Sequence, residues 1–480
     1  MNRPVVIWAA LWMASLAVTL EAQVEVERFQ RQMEEIQREQ RTLIDPDVPV
    51  DQRTLIDYGG FVSFNFLAID DIDQKTNILR QTDLNGYLRV NLDGAHEFFL
   101  RARTSYRDWN SDVAIDNQGD DWVEPTLDRG TYRFDLQRYM AAYEGEIIPG
   151  NIVIQGGRQL VHWANGLTLS YEVDGAIVRF SHNKVGLDVM AGITRDSSTD
   201  IDSSRPRFSS ETNRNFYGGL LTFQVDARHR PFAYGIVQRD NNPSDSLVSS
   251  GGAITTEFEY NSSYIGFGSL GSFGDRLVYG LEFVFQGGDN LTNSFNPTTG
   301  ANVPQVTEDI QAFAMDLRLD YLFGDDSRTR VGVELLYATG DEDRLHSTNT
   351  FGGNRAGTKD HGFNAFGLVN TGLAFNPAFS NLLIVRTGAS SFPFPNSALF
   401  GRMQVGVDVF VFNKAESGGP IDEVTTDGTY LGWEPDFYIN WQLTSDVSWA
   451  IRYGVFFPGD TIDVDHDARH FFFSGLTVAF

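Results

Sequence analysis

The side chains best equipped for chemistry in this chain are arginines that recur on alternating positions: Arg89, Arg101, Arg103, Arg133, Arg179, Arg239, Arg276, Arg318, Arg330, Arg386, Arg402 and Arg452. Acids interleave on the same alternation, among them Asp83, Glu97, Asp135, Asp188, Glu257, Glu259, Glu282, Asp316, Asp320, Glu334, Asp408, Glu434 and Asp436. A guanidinium stays charged at any cellular pH and offers two parallel donors to a carboxylate or phosphate. Lysine, a point charge without that fork, occurs only at positions 75, 184, 359 and 414. An anion ~4 Å from a guanidinium gains roughly 4 kcal/mol at an effective dielectric of 20. That is enough to guide an anion, and competing acids keep it from being trapped. The same residues also read as Arg–acid pairs that brace neighbouring strands, and the two readings are compatible.

Other chemistry is sparse. The histidines are scattered, and no nucleophile elbow or zinc motif occurs, so no enzyme and no cofactor is expected. Asp463, Asp465 and Asp467 have the every-second-residue spacing of a calcium loop, but lack its glycine and terminal glutamate. They are a weak candidate for a structural Ca2+ at an outer loop, with a solvated acidic loop as the plainer reading. With no cysteine, neither disulfides nor thiolate metal sites are available. A net charge of −27 argues against a nucleic-acid partner.

Positioning charges on every second residue requires strands. In residues 79–109, Leu84, Gly86, Leu88, Val90 and Leu92 alternate with Asp83, Asn85, Tyr87, Arg89 and Asn91. After Asp93–Gly94, Phe98, Leu100, Ala102 and Tyr106 alternate with Glu97, Arg101, Arg103 and Arg107. Each strand is apolar on one face and charged on the other, and is long enough to cross a bilayer at a tilt. The rhythm runs from Ile56 almost to Phe480, with short connections alternating with long ones. Both ends on one side require paired strands. The expectation is an all-β fold: a transmembrane antiparallel β-barrel of about eighteen strands, apolar outside, charged within. Arg138, between Leu136 and Met140, breaks the alternation and implies a bulge or a rim position. The phenylalanines of the long connection 340–380 are too apolar for a freely solvated arm. That connection is expected to fold into or across the lumen.

Residues 1–22 read as a signal peptide, with Arg3 before a short apolar core and cleavage after Ala17 or Ala22. Residues 23–44 follow as a short N-terminal periplasmic helix, with Val26, Phe29, Met33, Ile36, Gln40 and Leu43 on a heptad seam. A linker spans 45–55 and the barrel 56–480. The helix either lies under the barrel or joins barrels into a homo-oligomer. Export plus amphipathic strands places the chain in the cell outer membrane, with lipid and lipopolysaccharide around it. The aromatic C-terminus resembles the signal read by the barrel-assembly machinery.

The segments GGRQLVHWANGL (156–167), EVDGAIVRF (172–180) and GWEPDFYINWQLTSDVSWAIRYGVFFPG (432–459) resemble the alginate export family of outer-membrane porins. The resemblance implies an eighteen-stranded barrel whose cation- and acid-lined lumen passes an anionic polysaccharide, and makes Arg158 a conduit candidate. Its departures are lumen cations that are arginine only, strongly acidic loops and the extra N-terminal helix. The leading expectation is a channel for anionic or polar solutes, with a trimeric phosphate- or anion-selective porin as the alternative. An outer-membrane hydrolase or an adhesion barrel would need a reactive cluster at the outer rim or a plugged lumen. If the heptad seam joins barrels, deleting residues 24–43 lowers the mass of the detergent-solubilised oligomer without unfolding the barrel; an unchanged mass leaves only the tether.

Overall fold

The computed structural model describes residues 54–72, 74–110, 121–195, 198–243, 246–249, 252–296, 299–344, 354–463 and 467–480. The signal peptide and the heptad segment lie outside the described residues. In chain order the strands are β1 (Leu55–Asp70), β2 (Thr76–Leu92), β3 (His96–Trp109), β4 (Asp121–Asp135), β5 (Gly150–His162), β6 (Ser170–His182), β7 (Val185–Thr194), β8 (Arg214–Phe223), β9 (His229–Asp240), β10 (Ser246–Ser249), β11 (Ile254–Glu257), β12 (Tyr260–Phe273), β13 (Leu277–Leu291), β14 (Thr307–Leu322), β15 (Arg330–Ala338), β16 (Leu382–Ser391), β17 (Met403–Lys414), β18 (Tyr430–Gln442), β19 (Val447–Pro458) and β20 (Arg469–Ala479). All but β10 and β11 form one 18-stranded antiparallel sheet in which each strand pairs with its sequence neighbours. β20 pairs with β1 from Phe61↔Ala479 to Ile69↔Phe471, which closes the barrel. β10 and β11 are a small hairpin between β9 and β12.

The two-residue period decides which side chains face in. On β2, Leu84, Leu88 and Leu92 are exposed, whereas Asp83, Asn85 and Asn91 are buried. On β3, Phe98, Leu100 and Tyr106 are exposed and Arg101 and Ser105 buried. Apolar side chains outside and polar ones inside invert the soluble pattern, and suit a wall bathed in lipid. One rim carries both strand termini and the short turns. At its Asp93–Gly94 corner both residues take positive φ, 55° and 82°, the turn geometry that matches the twist of flanking strands. The other rim carries the long loops.

The break in alternation at Arg138 has a local cause. β4 begins at Asp121 and ends at Asp135, whose carboxylate accepts the Arg138 N–H at 3.2 Å. A helical turn, Leu136–Tyr139, then runs into a wider π turn, Met140–Glu144. Arg138 therefore breaks the alternation because it is not on a strand; it reaches the Gly94 carbonyl at 3.4 Å. The connection between β15 and β16 lies where its phenylalanines lead one to expect. Its described residues Phe363, Phe366, Ala374 and Phe375 are buried in two apolar clusters made with inward side chains of the wall, such as Phe216, Tyr264, Phe412 and Phe456. This loop folds inside the barrel.

The chain contains no cysteine, so introduced thiols report without background. Cysteines replacing Leu88, Leu100, Leu281, Val407 or Trp449 resist a hydrophilic thiol reagent in whole cells, while one replacing loop residue Ser417 reacts. Reaction at all of them contradicts the barrel.

Candidate functional site

The richest set of inward charges lies on β14 to β19. Arg318 and Arg330 both bind Asp320, at 2.8 and 2.7 Å, and Arg386 binds Glu334 on the adjoining strand at 2.8 Å. Arg452 donates to Asn440 at 2.7 Å and lies 5.4 Å from the Tyr438 ring. Together with Asp408, Gln404 and loop residue Asn370 these groups line a polar cavity of about 310 Å³. Cations and acids are nearly balanced in number, but their exposure is not. The Arg318 and Arg330 side chains are 42% and 40% exposed, whereas the Asp320 carboxylate between them is 8% exposed. Water inside the barrel therefore meets guanidinium first, with the acids recessed behind it.

Above this cavity, acids that the alternation places inward serve a different purpose. Glu434 is fully buried and accepts the backbone N–H groups of Leu373, Ala374 and Phe375 at 2.5, 2.7 and 2.8 Å. Phe375 stacks on Phe456 with ring centroids 4.1 Å apart. Gly372, at φ 96°, brings the loop backbone so close that a Cβ there would sit 3.0 Å from the Glu434 carboxylate. A second inward loop, between β5 and β6, is held in the same manner. The Asn165 N–H donates to Glu282 at 2.8 Å, and its side-chain amide to Asp316 at 2.9 Å. The two loops also bond each other, Leu368 N–H to the Gly166 carbonyl at 2.9 Å and Ser170 N–H to the Phe366 carbonyl at 2.8 Å. Asn364 N–H reaches Gln286 at 2.9 Å. These loops narrow the lumen above the arginines.

On the opposite wall four of the inward arginines each lie beside an acid. Arg101 binds Asp128, with Nε–Oδ2 at 2.6 Å, and Arg103 binds Asp83 at 2.9 Å. Arg133 lies 3.4 Å from Asp135, Arg179 lies 3.4 Å from Asp188, and Arg89 lies 5.5 Å from the Phe99 ring. The cationic patch anticipated at Arg89, Arg101 and Arg103 is thus largely neutralised by Asp83 and by Asp128, a partner across a strand irregularity that alternation alone does not reveal.

Several anticipated positions are corrected. Arg158 does not face the lumen: it pairs across strands with Asp174 at 2.7 Å, on the face of the exposed side chains Ile154 and Phe180. Arg402 and Arg276 fall in short turns and are exposed. Arg239 is exposed on the outer face of β9, whose inward residues Gln238 and Ile236 are buried beside it. Glu257 and Glu259 are exposed at the loop rim. Glu434 and Asp316 are anchors for loops, and Asp436 is buried beside Glu434. Asp135 caps a helical turn at the terminal rim. Of the calcium candidates, Asp465 lies outside the described residues. Among the described residues no group of three or more acidic or histidine side chains could hold a metal.

Replacing Glu434 with alanine leaves three amides without their acceptor, at about 1–3 kcal/mol each. The expected outcome is a barrel that still assembles, with a loop that undocks and a larger, noisier single-channel conductance in planar bilayers; an unchanged conductance would place this loop outside the current path.

A family model described as alginate export matches residues 73–471. Among solved structures, OccK5 (OpdH) of Pseudomonas aeruginosa superposes with a TM-score of 0.53 at 11% identity, covering 88% of this chain and 97% of that one. OccAB1 of Acinetobacter baumannii gives 0.53 at 10% identity, covering 88% and 96%. OpdK of Pseudomonas aeruginosa, solved with vanillate, gives 0.51 at 10% identity, covering 88% and 98%. At such identities the likeness is one of fold. No curated protein sequence matches the chain. Closed eighteen-stranded architecture, a charged interior and the family match over most of the sequence agree: the chain belongs to the alginate export family of outer-membrane channels.

Proposed function

We propose that this outer-membrane channel passes anionic solutes by passive diffusion, and that an anionic polysaccharide of the alginate type is its substrate class. The observation that carries the reading is the asymmetric exposure around Asp320, where Arg318 and Arg330 face water and the acid does not. An anion moving down the lumen meets a cationic surface whose counter-charges are already fixed behind it. The field is therefore attractive at contact, and weak at range because the opposite charges nearly cancel. A carboxylate matches the guanidinium fork, and the side chains of Asn370, Gln404 and Asn440 around the cavity offer partners to sugar hydroxyls. The family supports a polymer as the traveller.

A second reading, a small carboxylate or phosphate, is favoured by the size of the cavity, about 310 Å³, which suits one sugar-sized or smaller anion. The structural partner with vanillate bound belongs to that size class, though its likeness to this chain extends only to the fold. On either reading the arginines are the selective element.

Ion selectivity tests this. With a salt gradient across a planar bilayer, the wild-type reversal potential lies on the anion side. Changing Arg318 and Arg330 together to glutamate shifts it toward cations, and the shift shrinks at high salt as charges more than ~8–10 Å from the path are screened. Selectivity unchanged at low salt would mean that these arginines only brace the wall.

A further inference from the structure

Two glycines stand side by side on the wall of the arginine cavity, Gly332 on β15 and Gly388 on β16. Cross-strand register sets them in one transverse row, Asp320–Gly332–Gly388–Asp408, which continues through Asp436 on β18 to Gly454 on β19. Glycine weakens a strand interior, because it has no side chain to pack and loses the most backbone freedom on folding. The backbone does not call for it here, since neither Gly332 nor Gly388 has a positive φ. The space above them does. A Cβ on Gly332 would lie 2.4 Å from Oδ1 of Asp320, and one on Gly388 would lie 2.0 Å from Oδ1 of Asp408. The pattern recurs at the end of the row, where a Cβ on Gly454 would lie 2.5 Å from Oδ1 of Asp436. Three acids of the row therefore lie over three glycines, each on an adjoining strand.

This placement has an electrostatic consequence. Oδ1 of Asp320, the oxygen over Gly332, accepts from Arg330 Nε at 2.8 Å, and Oδ2 accepts from Arg318 Nε at 2.8 Å. The glycine gives the carboxylate room to lie against the strand while both guanidiniums reach water. With a methyl group at position 332, Oδ1 has to leave its place. The end of an aspartate side chain moves more easily than a paired strand, so the carboxylate swings away from the wall and toward the lumen. The formal charge of the channel is then unchanged, but an acid joins the guanidiniums at the solvent surface.

We propose that Gly332 and Gly388 are specificity-determining residues of this channel: by letting Asp320 and Asp408 lie against the wall, they leave the arginines as the charges a solute touches. The inference rests on the anion-channel reading above, and adds that two neutral residues set the sign of the contact surface. Gly406 on β17 shapes the same cavity in a similar way. A Cβ there would lie 2.1 Å from Cζ of Tyr438, so its absence lets that ring lie along the wall beside Arg452.

Salt-gradient reversal potentials in planar bilayers test it on the wild type, Gly332→Ala, Asp320→Asn and the two changes combined. Gly332→Ala is expected to lower the anion-to-cation permeability ratio about two-fold with no change of formal charge, and to alter nothing in the Asp320→Asn background. Gly86→Ala on β2, where a Cβ meets nothing within 4 Å, is expected to match the wild type. A ratio unaltered by Gly332→Ala overturns the proposal. So does an equal fall with and without the Asp320 carboxylate, which would report bulk in the pore and not charge. A wild-type channel with no anion preference overturns the reading beneath the proposal, a result visible before any variant is compared. Should Gly332→Ala not assemble, Gly388→Ala is read in the same way, with Asp408→Asn as its background.

Discussion

A carboxylate taken out of bulk water must be met by donors, and the interior of this barrel is arranged around that demand. Glu434 is met by three successive backbone amides, Glu282 and Asp316 by the backbone and side chain of Asn165, and Asp83 by Ser63, Asn65, Gln81, Arg103 and Ser105. At the loop rim Asp360 holds Arg344 and Asn290. The donors to Asp83 come from neighbouring strands, but those to Glu434, Glu282 and Asp316 belong to segments that would otherwise be free loops. Satisfying the wall's acids thus folds two loops into the lumen, and the aromatic rings on those loops then find inward apolar residues of the wall. Hydrogen bonding to charge provides the specificity, and apolar burial provides the bulk of the stabilisation.

The same arrangement accounts for the electrostatics of the lumen. A recessed acid still cancels charge at long range, but an exposed guanidinium governs what happens at contact. The pair of arginines on Asp320 shows this most clearly, because one acid serves two cations and lies behind both. A protein carrying a net charge of −27 can therefore present a cationic surface to a solute in its pore. The inward loops sit above that surface, so the narrowed stretch and the cationic stretch lie in series along the lumen. Two sets of wall acids do this, those that capture loops and those that back arginines.

Strand alternation is a local property, and the runs Leu84–Leu92 and Phe98–Tyr106 and the Asp93–Gly94 turn were all legible residue by residue. The number of strands followed from parity, because both ends lie on one rim. The family was legible in the segments around Arg158 and Glu434. Pairing was not. The amides that meet Glu434 lie about sixty residues away, in a loop whose path no periodicity describes. Arg158 was misplaced because Gly156 and Gly157 have no side chains to declare a face. Arg239 lies outward because β9 turns its bulky side chains Phe232, Tyr234 and Ile236 inward against the loops, so its apolar face is not its lipid face. Arg276 and Arg402 missed the wall by a residue or two of strand boundary. Asp128, the partner that neutralises Arg101, was hidden by the irregularity in β4 that turns it inward.

The central claim is that exposed guanidiniums below the inward loops interact with an anion in transit. Current block by added sugars tests it most directly. In a single-channel recording at low salt, short uronate oligomers should interrupt the current for resolvable intervals, while neutral oligosaccharides of the same length pass or are excluded without such events. Identical block by charged and neutral oligomers, or no block by either, would contradict the account.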